Sequence, residues 1–188
     1  MTTAAPPLIQ QHPAEFAQLL ELYLLRQPAR VLEVGVGHGG TLYHWLREAT
    51  AGAVVVALDD RHTNRASYLE WAPAGVKLIT ITGSSQDPDV VLDAARHRPY
   101  DWIFIDADHH DHAVRADVRH YGGMADKLGV VALHDVKRSD DPTIHVDELW
   151  HELEAEHDTE LFSADGGPGI GVVFVGAEGP FFRGRAAT

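Results

Sequence analysis

The residues with the most chemical potential lie in two short runs, Asp106-Ala107-Asp108-His109-His110-Asp111-His112 and His134-Asp135. Carboxylates and imidazoles bind divalent cations and carry protons near neutral pH. Two carboxylates brought close repel one another unless a proton or a cation sits between them. If Asp106 and Asp135 converge, a divalent metal is the simplest partner for the pair. His109 is then of the right type for a general base. The other members have plainer readings. His110 and His112 read as surface residues and Asp111 as a helix N-cap. Asp117 reads as part of a solvated helix face, or as the partner of Arg115 or Arg119.

Three further turns carry ligand-binding types. Glu33-Val34-Gly35-Val36-Gly37-His38-Gly39-Gly40 lets the backbone turn tightly and lets a cofactor approach the main chain. Gly35, Gly37 and Gly40 also satisfy GxGxxG, a dinucleotide fingerprint. Glu33 argues against a dinucleotide: a pyrophosphate is anionic, whereas a cofactor with a cationic ammonium favours a nearby carboxylate. At Asp59-Asp60 a carboxylate can accept both hydroxyls of a ribose, which NAD and adenosyl cofactors share. Gly83-Ser84-Ser85-Gln86 either offers polar groups to an adenine edge or is a simple turn.

These residues need elements that bring them to one place. Phe16, Leu19, Leu20, Tyr23 and Leu24 form one helical stripe. Short apolar runs at 30–36, 53–58, 76–81, 101–105 and 129–133 read as buried strands. Helical stripes lie between them at Leu42/Trp45/Leu46/Ala49, after Asp87-Pro88, and at Val114/Val118/Tyr121. A last stripe, Val146/Leu149/Trp150/Leu153, precedes a closing strand pair at 160–163 and 171–175. Alternating strands and helices, with strands apolar throughout, predict a doubly wound, mostly parallel α/β sheet covered on both faces. Such a sheet binds its ligand at the C-terminal strand ends, where every run named above falls.

Composition narrows the class further. The 188 residues suit a single domain spanning 1–188, with a core from about 28 to 178. A net charge of −13 without a basic cluster disfavours nucleic acid. The absence of cysteine excludes disulfides, a Cys-ligated zinc and a thiol nucleophile, and fits a cytoplasmic setting. No apolar run approaches the ~18 residues that span a bilayer, and no signal-peptide pattern opens the chain. The Ala/Pro-rich start and the tail after Gly179 read as frayed ends.

The stretch VLEVGVGHGG resembles motif I of class I S-adenosylmethionine-dependent methyltransferases. The stretch from Tyr100 to Val136 resembles one small-molecule branch of them, that of the cephalosporin-hydroxylase-like proteins and macrolide-sugar O-methyltransferases. The likeness covers roughly residues 30 to 155 and implies a seven-stranded Rossmann-like sheet with a C-terminal antiparallel strand pair. It places Glu33, Gly35 and Gly37 at the methionine end of S-adenosyl-L-methionine, Asp59 on the ribose, and Ser84 and Asp106 among the cofactor contacts. It places a divalent metal on Asp106 and Asp135, with His134 completing the set, and makes His109 the general base beside Asp106. The implied reaction is methyl transfer to a hydroxyl of a small molecule.

Two departures from that branch are visible. Gly83-Ser84-Ser85 stands where family members often carry Gly-Asp-Ser, and His134-Asp135 where the macrolide-sugar enzymes carry Glu-Asp. Mg²⁺ or Mn²⁺ is the metal the likeness implies, but an imidazole ligand suits Zn²⁺, Fe²⁺ or Mn²⁺ better than Mg²⁺. Competing readings are a metal-independent methyltransferase on the same fold, a nicotinamide-dependent oxidoreductase or epimerase, and a binding module without turnover. The oxidoreductase lacks a Tyr-x-x-x-Lys pair, since Tyr121 is followed by Ala125 and Tyr100 by Phe104. Residues 137–145 are polar and read as a lid or a plain loop, and a homo-oligomer is one source for the missing outer wall of the acceptor site.

Overall fold

A computed structural model describes residues 7–177; both chain ends read as frayed lie largely outside that range. The elements run α1 (Pro13–Arg26), β1 (Arg30–Val34), α2 (Gly40–Glu48), β2 (Val54–Asp59), α3 (Arg65–Trp71), β3 (Lys77–Thr82), α4 (Pro88–Ala95), β4 (Tyr100–Ile105), α5 (Asp111–Asp117), β5 (Ala125–His134), α6 (Val146–Glu156), β6 (Asp158–Phe162) and β7 (Ile170–Phe174). The chain leaves α5 through a wider π-helical turn, Val118–Gly122.

The strands form one sheet in the order β3-β2-β1-β4-β5-β7-β6. Five are parallel, and β7 runs antiparallel to both β5 and β6. This is the seven-stranded, mostly parallel sheet with a C-terminal antiparallel pair that the sequence predicts. Strand alternation sorts the core into two layers. Leu32 and Val34 face α4, α5 and α6, packing with Val90, Val114, Tyr121, Leu149 and Trp150. Val31 faces α1, α2 and α3, packing with Phe16, Tyr23, Trp45, Tyr68 and Trp71. Glu33 shares the phase of Val31, so its carboxylate is aimed at α2.

Local signals explain most boundaries. Asp87 caps α4 by accepting from the Asp89 N–H at 2.9 Å, with Pro88 in the first turn, as expected. β1 stops at Val34, short of the expected Val36, because Gly35 turns the chain at φ +87°. Helix α3 carries no periodic signal: it is short, lacks a side-chain cap, and buries only Tyr68 and Trp71. β5 starts four residues before the expected Gly129, through a bulge opposite Tyr100–Trp102 and a left-handed Leu128. Asp111 is not the N-cap of α5. His110 holds that position, and Asp111 binds Arg115 from the first turn.

The sheet reverses direction of winding between β1 and β4, and the C-terminal ends of these strands frame the crevice expected at such a switch point.

Candidate functional site

A cavity of about 520 Å³ opens at that crevice, the size of a small-molecule site. Its wall includes Gly35, Gly37 and Gly40 after β1, Asp59 and Asp60 after β2, residues 83–86 after β3, Asp106 to His109 after β4, and His134 and Asp135 at the end of β5. Every strand-end run singled out in the sequence therefore meets here.

The glycine turn is set by close backbone approach. A Cβ on Gly35 would sit 2.1 Å from the Asp106 carbonyl oxygen, so only glycine lets β1 and β4 approach at their rim. The turn is clamped from β2: Asp59 Oδ2 accepts from the Val36 and Gly37 N–H groups at 2.7 and 2.8 Å, and Oδ1 from Arg61 N–H at 2.7 Å. Asp59 lines the cavity, and its carboxylate holds the glycine turn. Its neighbour Asp60 reaches the same cavity with a mostly exposed side chain.

Glu33 is fully buried and is not part of the cavity wall; Thr41, which donates to Glu33 Oε1, is. Burial pushes the Glu33 carboxyl well above its usual range, opposed by the Thr41 hydrogen bond and reinforced by Asp106 and Asp59. Its Oε2 is buried with no partner among the described residues. An acceptor left bare beside a glycine turn fits a ligand that brings a positive charge.

Across the crevice, Asp106, His109, His134 and Asp135 converge, with one donor atom from each lying within 4.8 Å of the others. His109 Nε2 lies 3.2 Å from Asp106 Oδ1 and 2.9 Å from Asp135 Oδ2. His134 Nδ1 makes the same pair of contacts at 3.2 and 2.8 Å. Register explains the convergence: β4 and β5 are parallel neighbours pairing Ile105 with Leu133, so the residues just beyond them share one rim. Asp135 sits at φ +59°, a left-handed conformation that costs a non-glycine residue about 1–3 kcal/mol and recurs where a site needs a particular side-chain direction.

The electrostatics follow from four groups of alternating charge. The hydrogen bonds to Asp106 and Asp135 push the His109 imidazole up to about 10 against burial. Burial opposes protonation of His134, but the charges of Asp106 and Asp135 outweigh it and bring its pKa to about 10. Burial alone would raise Asp106 and Asp135; the two imidazoles hold both below the ordinary carboxylate range. Without a bound cation the cluster is therefore a neutralised square of two imidazolium and two carboxylate groups. Two imidazole nitrogens and two carboxylate oxygens at this spacing also fit a borderline divalent cation such as Zn²⁺, Mn²⁺ or Fe²⁺ better than Mg²⁺.

Several site residues carry no sequence signal. Gln10 and Gln11, just before α1, form part of the cavity wall, and the Gln11 amide donates to Asp106 Oδ2. Only the return of the N-terminal segment over the glycine turn brings them there. Residues 137–145 contribute nothing to the cavity wall; the loop is tied down by Lys137 N–H to Pro168 O and by His145 N–H to His109 O. Ser84 lines the cavity as expected. Asp117 does not lie on a solvated face or pair with an arginine: it is fully buried and accepts from Ser85 Oγ at 3.0 Å. His110 and His112 are exposed, as expected.

The profile of the family described as "Methyltransferase domain" matches residues 32–136, which span the glycine turn through Asp135. No curated protein matches the chain at a significant level. Among solved structures, an O-methyltransferase from Bacillus cereus in complex with SAH superposes at a TM-score of 0.66 with 20% identity, covering 90% of this chain and 84% of that one. MycE methyltransferase of the mycinamycin biosynthetic pathway, in complex with Mg and SAH, gives 0.64 at 18%, covering 91% of this chain but only 52% of its own. The O-methyltransferase TomG from Streptomyces achromogenes, involved in tomaymycin synthesis and in complex with SAM, gives 0.62 at 19%, with 85% and 78% covered. At these identities the likeness establishes a shared fold. The chain spans about half the length of MycE.

Proposed function

The chain belongs to the methyltransferase domain family, and from that premise we propose that it transfers a methyl group from S-adenosyl-L-methionine to a hydroxyl of a small molecule, with a divalent cation bound at the β4–β5 rim. The observation that carries the reading is the pairing of two features at one crevice. A buried, unpartnered carboxylate oxygen on Glu33 lies behind the glycine turn, and the Asp106/His109/His134/Asp135 cluster lines the cavity that the turn borders. Family membership removes the nicotinamide-dependent alternative, and the solved relatives named above contain SAH or SAM.

In this reading S-adenosyl-L-methionine supplies a methyl group already activated on a sulfonium. Glu33, held by Thr41, provides the negative end that a methionine ammonium requires, because the incoming positive charge would offset the burial that otherwise favours the neutral carboxyl. Gly35 and Gly37 leave room for the cofactor beside the main chain, Asp59 fixes their turn while presenting its remaining lone pairs to a ribose, and Ser84 lies at the adenine end. Asp106, His134 and Asp135 would hold the cation, which would offset the charge of the two carboxylates and lower the pKa of an acceptor hydroxyl. His109 is the cluster's most exposed side chain, at 32% against 8% for His134. A cation on the two carboxylates would release His109 from the contacts that keep it protonated, and the neutral imidazole could then take the proton of an acceptor hydroxyl. Proton abstraction of this kind contributes about 10²–10⁴ in rate.

A metal-independent transferase is the second reading. The contacts from His134 Nδ1 to both carboxylates favour it, because a protonated His134 already supplies positive charge there. We place the protein in the cytoplasm, and a second copy of the chain is the simplest source of an outer acceptor wall. The test is calorimetry with S-adenosylhomocysteine and with NAD, with and without Mg²⁺, Mn²⁺ and Zn²⁺, followed by turnover on hydroxylated scaffolds before and after chelation. Binding of the adenosyl ligand and a metal-restored loss of turnover are expected. Failure of the adenosyl ligand to bind overturns the proposal, and turnover indifferent to chelation selects the metal-free form.

A further inference from the structure

The adenine end of the cavity contains a feature that the methyl-transfer reading does not use. After β3 the chain turns through Gly83-Ser84-Ser85-Gln86, all on the cavity wall. Ser85 is buried and held from behind by α5 and the π turn that follows it. Its hydroxyl donates to Asp117 Oδ2 at 3.0 Å, and its carbonyl accepts from the Tyr121 hydroxyl at 2.6 Å. Asp117 is fully buried, and its Oδ1 has no partner among the described residues. A buried carboxylate with a single hydrogen bond is expensive to keep, so its presence calls for a use.

A hydroxyl has one proton and two lone pairs. With its proton committed to Asp117, Ser85 Oγ can offer a ligand in the cavity only lone pairs. We infer that Asp117 is a positioning residue that fixes Ser85 as a hydrogen-bond acceptor, and so selects an adenine, whose exocyclic amino group donates, over a 6-oxo purine, whose carbonyl accepts. The role falls to a side chain on α5 because the acid that ends the turn after β3, Asp87, is committed to capping α4. Burial pushes the Asp117 carboxyl up to about 6 despite the Ser85 hydrogen bond, with Asp108 adding to the rise, so at neutral pH it is ionised and acts only as an acceptor.

This inference rests on the adenosyl-cofactor reading above, and its test separates the two. Calorimetry compares S-adenosylhomocysteine with S-inosylhomocysteine, which differ at the purine 6-position and the adjoining ring nitrogen. The wild type is expected to bind the adenosyl ligand at least about tenfold more tightly, since an acceptor facing an acceptor leaves both unsatisfied. Asp117→Leu frees the Ser85 proton to turn into the cavity, and the preference should shrink toward parity. Ser85→Ala removes the acceptor altogether; it too should collapse the ratio and serves if Asp117→Leu does not fold. A purely structural Asp117 would weaken both ligands equally, and an unchanged ratio in either folded variant overturns the inference. Equal binding of the two ligands by the wild type also overturns it while leaving the methyl-donor reading intact, whereas failure of both to bind brings down that reading and the inference together.

Discussion

Replacing Gly35 by alanine should damage the site and the fold together, by an amount the geometry sets. Two costs add. Gly35 sits at φ +87°, and holding an L-residue there costs about 1–3 kcal/mol. The new methyl would lie 2.1 Å from Asp106 O, 2.5 Å from Asp106 C and 2.7 Å from Ala107 Cα, all backbone atoms with no rotamer to escape into. Ordinary contact begins near 3.4 Å, so the end of β4 must move away from β1. That motion pulls on the Asp106 N–H to Val34 O hydrogen bond of 2.8 Å, whose loss adds about 1–2 kcal/mol. A total of about 2–5 kcal/mol is a large share of the ~5–15 kcal/mol that holds a domain together. For a domain of this size it corresponds to a Tm lower by about 4–20 °C. Asp106 moves with the backbone, so S-adenosylhomocysteine affinity should fall at least about tenfold, equivalent to ~1.4 kcal/mol. Gly52→Ala is the internal control. Its φ is +93° but nothing lies within 4 Å of the added methyl, so only the conformational cost remains and the ligand should bind normally. Differential scanning calorimetry and ligand titration of both variants decide the matter. If Gly35→Ala melts with Gly52→Ala and keeps full affinity, the close approach of β1 and β4 is not what the glycine provides.

Other consequences follow from the same structure. Asp117 has a folded pKa near 6, above the ordinary aspartate value of 3.8, so the folded state binds its proton more tightly; the resulting stability is complete below pH 3.8 and is lost as pH rises through 6. Denaturant titrations across that window should show Asp117→Asn gaining about 3 kcal/mol on the wild type, and a constant difference would refute the burial argument. Because His109 and His134 are both raised to about 10, they are protonated at pH 7.5 and must shed protons when a cation binds. Zn²⁺ or Mn²⁺ titrated in buffers of different ionisation enthalpy should release about two protons per ion, one from the ligand His134 and one from His109 as the cation takes its carboxylate partners; binding with none released would remove His134 from the ligand set. Glu15, buried on α1, accepts from Ala164 N–H at 2.9 Å and Gly169 N–H at 3.1 Å. Glu15→Ala should cost about 2–5 kcal/mol and speed hydrogen exchange at those two amides while leaving S-adenosylhomocysteine affinity unchanged; a loss of affinity without faster exchange would contradict this.

Much of the architecture is legible in one dimension, because it rests on local rules. Short apolar runs bounded by turn residues read as strands covered on both faces, which holds for β1, β2 and β4 but not for the edge strand β3, buried only at Ile81; their helical partners show as stripes such as Leu42, Trp45 and Leu46. Pro88 after Asp87 marks a helix start wherever it occurs. The rule that ligands bind at carboxyl strand ends then gathers Gly35, Asp59, Ser84, Asp106 and Asp135 without any coordinates. What the residue string could not supply are relations between segments far apart in the chain. Gln11 meets Asp106 across 95 positions, and Glu15 meets Gly169 across 154, with no periodicity to announce either pair. Asp117 illustrates the limit most directly. Beside two arginines its type and position read as a solvated acid, yet packing of α5 behind the turn after β3 buries it on Ser85. Residue type fixes which protons and charges a side chain can carry; how far it is withdrawn from water, and against what, is decided only when the layers close.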